Sequence, residues 1–176
     1  MKYEDYAFDI ECLPNLFTCT THRISDGARW THIITPWLNQ GRGFNYFLNQ
    51  IKHNNGRQVG YNNLAYDYPM IHLIMSLNGI VNNQILYAKS MSIINSDFND
   101  YSHTIWDNDR FIPQLDLMKV HHFDNAAKRT SLKLLEFNMR MKTIEELELD
   151  FNQPVTPDQV PVVLKYNDHD VDATVS

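Results

Sequence analysis

Three short runs of this 176-residue chain hold side chains that do chemistry. The first is Asp9-Ile10-Glu11. On a strand, residues i and i+2 point to the same side, so both carboxylates would project together while Ile10 faces away. The second is "YNNLAYDYP", with Asn63, Tyr66 and Asp67. Asp67 sits where a loop would enter a helix, a place that equally suits a plain capping aspartate. Asn63 and Tyr66 supply an amide and an aromatic ring, groups that touch sugar and base at the mouth of a nucleic-acid site. The third is "YNDHDVDAT", in which Tyr166 and Asp170 stand four residues apart. On a helix that spacing puts phenol and carboxylate on one face. Asp168 and Asp172 then point elsewhere, and His169 lies one position off the useful face. A frayed polar end is the alternative for this run, against which the apolar "VVLK" before it argues for a docked helix.

No single run is specific, but together they supply four acids and a phenol. That set suits one chemistry. Two divalent ions roughly 3.5–4 Å apart activate a water and stabilise the leaving oxygen in phosphodiester cleavage. Mg²⁺ takes oxygen ligands and keeps several waters, so a few carboxylates from separate elements suffice. One carboxylate bridges both ions, others anchor each singly, and a phenol orients the attacking water.

These side chains need elements to carry them. "YAFDIEC" reads as a strand, followed by the strands "LFTCTTH" and "RWTHIIT" across the turn signals "LPN" and "SDGA". That is an antiparallel meander. "FNYFLNQIKHNNG" has apolar residues at 44, 47, 48 and 51, a helical spacing closed by glycine. "RQVGYN" follows as a short strand, and strand–helix–strand predicts a right-handed crossover and a parallel pair. "YPMIHLIMSL" begins a helix with Pro69 in its first turn. "NNQILYAKSMSII" reads as another helix, "IWD" as a strand edge and "FIPQLDLMKV" as a strand. "TSLKLLEFNMR" reads as a helix capped by Thr130 or Ser131, and "TIEELEL" as a short amphipathic piece. "TPDQVPVVLKYNDHDVDAT" opens with a capping pattern and continues as a helix with Pro161 in its first turns. The alternation predicts an α/β domain with a mixed sheet.

The gross numbers are compatible with this. The length suits one domain, residues 1–176, that buries roughly two-thirds of its unfolded surface. Apolar content of 43% and aromatic content of 12% argue for a packed core. A formal charge of −6 argues against a general electrostatic grip on phosphates. It does not argue against a nuclease, because bound cations reverse the local field. No apolar run approaches a membrane span, and the opening "MKYEDYAFDIECL" lacks a signal-peptide pattern. Cys12 and Cys19 read as two reduced thiols, with a hairpin bridge as the alternative.

At these residues the sequence resembles the DEDD 3′–5′ exonucleases. Asp9-x-Glu11 looks like their first motif, Asn63-Leu-Ala-Tyr66-Asp67 like the second, and Tyr166-x-x-x-Asp170 like the third in its tyrosine form. The histidine form would need His where Lys165 stands. Within that superfamily the likeness is to proofreading domains of phage-type DNA polymerases. The resemblance implies an RNase H-like fold, a five-stranded mixed β-sheet flanked by α-helices. It implies that Asp9 bridges two Mg²⁺ or Mn²⁺ ions, that Glu11 and Asp170 complete the first site, and that Asp67 holds the second. Tyr166 would position the nucleophilic water. Asn63 and Tyr66 would contact the terminal nucleotide of a single-stranded DNA 3′ end, and Cys12 and Leu13 would line the same pocket. The products would be nucleoside monophosphates and the setting the cytoplasm, the host's for a phage gene. The chain is too short for a polymerase. It is expected either to stand alone or to be the N-terminal part of one, working with a polymerase domain in cis or in trans. The alternatives are a non-catalytic module binding a strand end or a protein, and an exoribonuclease.

Other candidates attract weaker readings. His121-His122 has no second pair at ligand spacing, so zinc is not expected there. Asp116, inside a strand, reads as a structural acid, bonded to backbone or facing an edge, rather than a fifth metal ligand. Trp30, Trp37 and Trp106 suit core or rim, and each is able to stack a base. "KRTSLK" offers Lys128, Arg129 and Lys133 either for a phosphate contact at a helix start or as a solvated loop.

Overall fold

The structure, a computed structural model, describes residues 2–97, 99–121, 149–150 and 152–175. Strand β1 (Glu4–Leu13) turns through Pro14 and Asn15 into β2 (Leu16–Arg23), and β2 turns through Gly27 into β3 (Arg29–Ile34). All three pair antiparallel, with Asp9 opposite Thr20 and Glu11 opposite Thr18. Helix α1 (Gly41–His53) buries Phe44, Leu48 and Ile51 and leads to β4 (Gly56–Gly60). Strand β4 pairs parallel with β1, as the crossover pattern requires. Helices α2 (Asp67–Ser76) and α3 (Asn83–Ile94) follow, then β5 (Gln114–Asp116), parallel to β4, and the short α4 (Leu117–His121). The last helix, α5 (Val160–Val175), is introduced by a 3₁₀ turn at Pro157–Gln159. Thr156 and Gln159 form the expected capping box there. The sheet order is β3-β2-β1-β4-β5, so β1 lies at the centre of five strands in a mixed sheet with flanking helices. This is an RNase H-like α/β fold.

The pleat of β1 divides its residues between two layers. Tyr6, Phe8, Ile10 and Cys12 join the main core with residues of α1, α2 and α3. Leu13 packs instead with Leu16, Val155 and Val163, beneath α5. The odd-numbered residues of β1, Asp9 and Glu11 among them, therefore share the α5 side of the sheet. Both cysteines are free thiols in buried positions.

Two expectations need correcting. "IWD" is no strand: Trp106 is extended, but Asp107–Asp109 close a 3₁₀ turn, with the Asp109 N–H donating to the Trp106 carbonyl at 2.9 Å. Three consecutive turn-forming polar residues outweigh the two apolar ones before them. In "FIPQLDLMKV" only Gln114–Asp116 is strand. Pro113 has no N–H for a ladder, and Asp116 accepts the Met118 N–H at 3.1 Å, a capping contact that starts α4. The helix expected at "TSLKLLEFNMR", the piece "TIEELEL" up to residue 148, the "KRTSLK" cluster and His122 lie outside the described residues.

Candidate metal centre

The site is built where the β1–β4 ladder ends. Pairing of β4 with β1 stops at Ala7 opposite Val59, and the chain then leaves the sheet. Beyond that point the edge of β1 is open. The Ile10 N–H on this edge donates to Asp67 Oδ1 at 3.2 Å. Asp67 is thus the first residue of α2, and its side chain reaches back to the central strand. The loop that delivers it is braced by Asp116, and of its two readings as a structural acid the structure selects bonding to backbone. Asp116 Oδ1 accepts the Asn62 N–H at 2.9 Å, and Oδ2 accepts that of Leu64 at 3.3 Å. Asn62 takes a left-handed φ of 58°, which asparagine tolerates. At Gly60 a Cβ would lie 2.6 Å from Cβ of Asn63, so only glycine lets the loop fold back this closely.

Helix α5 crosses the other side of β1 and β2. Its start is held by Asn15, whose Nδ2 donates to the Val155 carbonyl and whose Oδ1 accepts the Val155 N–H, both at 2.8 Å. Its far end is held to the meander by close polar contacts from His22 and ion pairs from Arg29. His22, buried on β2, lies 2.6 Å from Asp168 Oδ1 and 3.2 Å from Asp172 Oδ1. Arg29 of β3 reaches Asp168 at 2.8 Å and Asp172 at 2.7 Å. Asp168 and Asp172 do point away from Tyr166 and Asp170, but they set the rotation of the helix. The most buried stripe of α5 is Val163, Asn167 and Val171, flanked by the half-buried Tyr166 and Asp170.

Between these supports, Asp9, Glu11 and Asp170 place ligand oxygens within 4.8 Å of one another, the one such metal-suited cluster among the described residues. Burial first, then the charges of Asp67, Glu11 and Asp170, hold the Asp9 carboxyl well above the usual range, while a hydrogen bond from Asn167 pulls it down. Asp67, itself buried, is pushed up to about 7, mainly by desolvation and against the Ile10 hydrogen bond. Tyr166 hydrogen-bonds Asp170 one turn on, and burial together with nearby carboxylates keeps its phenol protonated. A clutch of partly desolvated carboxylates that repel one another is costly alone and suits a hard divalent cation. The oxygen-only donors and an otherwise unpartnered buried amide oxygen, Asn167 Oδ1, fit hydrated Mg²⁺ or Mn²⁺.

The residues expected at the substrate's end are placed as follows. Tyr66, half-buried, shares a 2.6 Å hydrogen bond with Ser90 of α3. Cys12 hydrogen-bonds the same serine, and burial pushes its thiol up to about 12. It lies on the core side of β1, opposite Asp9 and Glu11. Asn63 is 0% exposed, its Nδ2 donating to Gln114 Oε1 at 2.9 Å. Leu13 is enclosed beneath α5. Trp30 packs against the core, whereas Trp37 and Trp106 are exposed. Asn167 was not among the candidates, although its place between Val163 and Val171 at helical spacing marks it as inward-facing.

No family model matches the sequence, and no curated protein matches it. Solved structures do match in fold, across 99% of this chain. A family B DNA polymerase from the archaeon Pyrobaculum calidifontis is 16% identical with a TM-score of 0.57. Phi29 DNA polymerase, complexed with primer-template DNA, is 10% identical at 0.51. Escherichia coli ExoI, in a zinc-bound complex with single-stranded DNA, is 13% identical at 0.50. The chain spans 24%, 30% and 39% of those proteins' lengths. At such identities the likeness is one of fold: this chain shares the α/β architecture of parts of two DNA polymerases and ExoI.

Proposed function

We propose that the chain is a divalent-metal-dependent 3′–5′ exonuclease acting on single-stranded DNA ends, of the kind that proofreads for a phage-type DNA polymerase. The observation that carries this reading is the convergence of Asp9, Glu11 and Asp170 from β1 and α5, with Asp67 against the same strand. Asp9, Glu11 and Asp170 would hold one Mg²⁺ or Mn²⁺, and Asp9 with Asp67 a second. Bound ions supply Lewis acidity toward the phosphate and lower the pKa of a coordinated water. Tyr166 donates its proton toward Asp170, which leaves its oxygen lone pairs to accept a hydrogen bond from the attacking water. A neutral phenol is the right state for this, and burial together with the surrounding carboxylates favours it. Tyr66, at the end of the loop that carries Asp67, is offered to the terminal nucleotide. The similarity in fold to two DNA polymerases and a single-strand-bound ExoI supports a DNA end as substrate and a polymerase domain as partner; the setting proposed is the cytoplasm.

The test is hydrolysis of a 3′-labelled oligonucleotide with Mg²⁺. The native chain should release nucleoside monophosphates; EDTA or Asp9→Ala should stop it. Equal digestion by both proteins, or indifference to EDTA, refutes the assignment. A matched RNA strand in the same assay tests the ribose preference.

A further inference from the structure

We propose that Asn167 is a positioning residue for the acid cluster, its amide fixing the orientation in which Asp9 meets Glu11, Asp170 and Asp67. The inference rests on the metal-dependent reading above. Asn167 is 0% exposed and sits in the apolar stripe of α5 between Val163 and Val171. A buried amide among valines is unfavourable unless its donors are used. Here Nδ2 donates to Asp9 Oδ2 at 2.8 Å, across 158 residues of chain. The terminal torsion of an aspartate is soft, so without this contact the carboxylate of Asp9 would turn freely. The amide occupies one of its roughly four lone-pair positions and leaves the others for ligands.

The same contact couples two elements. Tyr166 immediately precedes Asn167 and Asp170 lies three residues on, so the bond that orients Asp9 also draws the chemical face of α5 onto β1. Residue type matters too. An aspartate at 167 would add another negative charge beside an acid that is already repelled by three neighbours. An amide gives a donor without charge.

The experiment is calorimetric titration of the whole chain with Mn²⁺, in native protein, Asn167→Leu, Asp9→Ala and the double variant. Leucine keeps the volume and removes the donor. Asn167→Leu should weaken Mn²⁺ by about tenfold or more, the effect expected of a partner that orients a ligand. In the Asp9→Ala background, titrated at high Mn²⁺ to reach the weak binding left to Glu11 and Asp170, the same exchange should change affinity less than twofold. On a labelled oligonucleotide, kcat should fall with KM within twofold. Asn167→Ser replaces the leucine variant if circular dichroism shows the latter unfolded. Three results overturn the proposal. If Asp9→Ala weakens Mn²⁺ binding and Asn167→Leu does not, Asn167 has no such role while the metal reading stands. If the Asn167→Leu effect persists without Asp9, the residue acts on the fold alone. If the native chain binds no Mn²⁺, both readings fall together.

Discussion

Exchanging Asp9 for Asn keeps the shape of the side chain and deletes the charge at the centre of the acid cluster. Ligand oxygens of Glu11 and Asp170 lie within 4.8 Å of that of Asp9. At an effective dielectric near 20, two ionised groups at that distance repel by roughly 3 kcal/mol. Solvent at these half-buried groups reduces this, and the Asn167 hydrogen bond loses its charge assistance, worth about 1 kcal/mol. The variant should therefore be more stable than the native chain by about 1–3 kcal/mol at pH 8 without metal. For a domain of this size that is roughly 3–10 °C in Tm. Saturating Mn²⁺ should reverse the order. Ligand at about a hundred times Kd adds roughly 2.7 kcal/mol to a protein that binds it, and the variant should gain almost nothing. The assay is a pair of melting curves for each protein, in EDTA and in excess Mn²⁺. A variant that melts lower than native in EDTA, or that gains as much from Mn²⁺, refutes the idea that Asp9 is a strained metal ligand.

Four further outcomes follow from the same geometry. Asp67 and Asp9 bind protons more tightly folded than unfolded, so the stability they contribute is full below about pH 4 and, for Asp67, lost as pH rises through about 7; the metal-free chain should weaken from pH 4 to 8 while Mn²⁺ affinity climbs over the same range, measured by melting and calorimetry. Tyr166→Phe should keep the fold and the metal affinity but lower kcat by about 10²-fold or more, in single-turnover hydrolysis. Asp168→Ala should cost about 1 kcal/mol in denaturant titration, less at high salt, and leave EDTA-sensitive hydrolysis in place, whereas Asp170→Ala should abolish hydrolysis. Gly60→Ala should cost about 1–3 kcal/mol, because the added methyl meets Cβ of Asn63 at 2.6 Å and the loop carrying Asp67 must shift.

Much of the architecture was legible because it is written in local patterns. Turn residues at Pro14-Asn15 and Asp26-Gly27 mark the meander, and the 44-47-48-51 spacing marks α1. The capping residues Thr156 and Gln159 mark the start of α5. The segments around Trp106 and beyond Asp116 depart from their apolar patterns for a related reason. Short polar turns and a capping aspartate decide them, and apolar content alone does not reveal where a ladder finds a neighbour.

The sequence by itself determined which groups are available: four acids in two strand-or-loop runs and one helical run, a phenol one turn from a carboxylate, and glycine where the chain must double back. It also determined that Asp9 shares a side of its strand with Glu11, because the two-residue period of a strand is a property of the backbone. Tertiary structure alone decided what those groups meet. The β4 ladder stops at Val59, and only this frees the Ile10 N–H for Asp67. His22 and Arg29 set the rotation of α5 by gripping Asp168 and Asp172, and that rotation sends Asn167 to Asp9. These contacts join residues 57 to 158 positions apart. Local propensity has no reach over such distances; only the packing of one element on another brings them within a hydrogen bond.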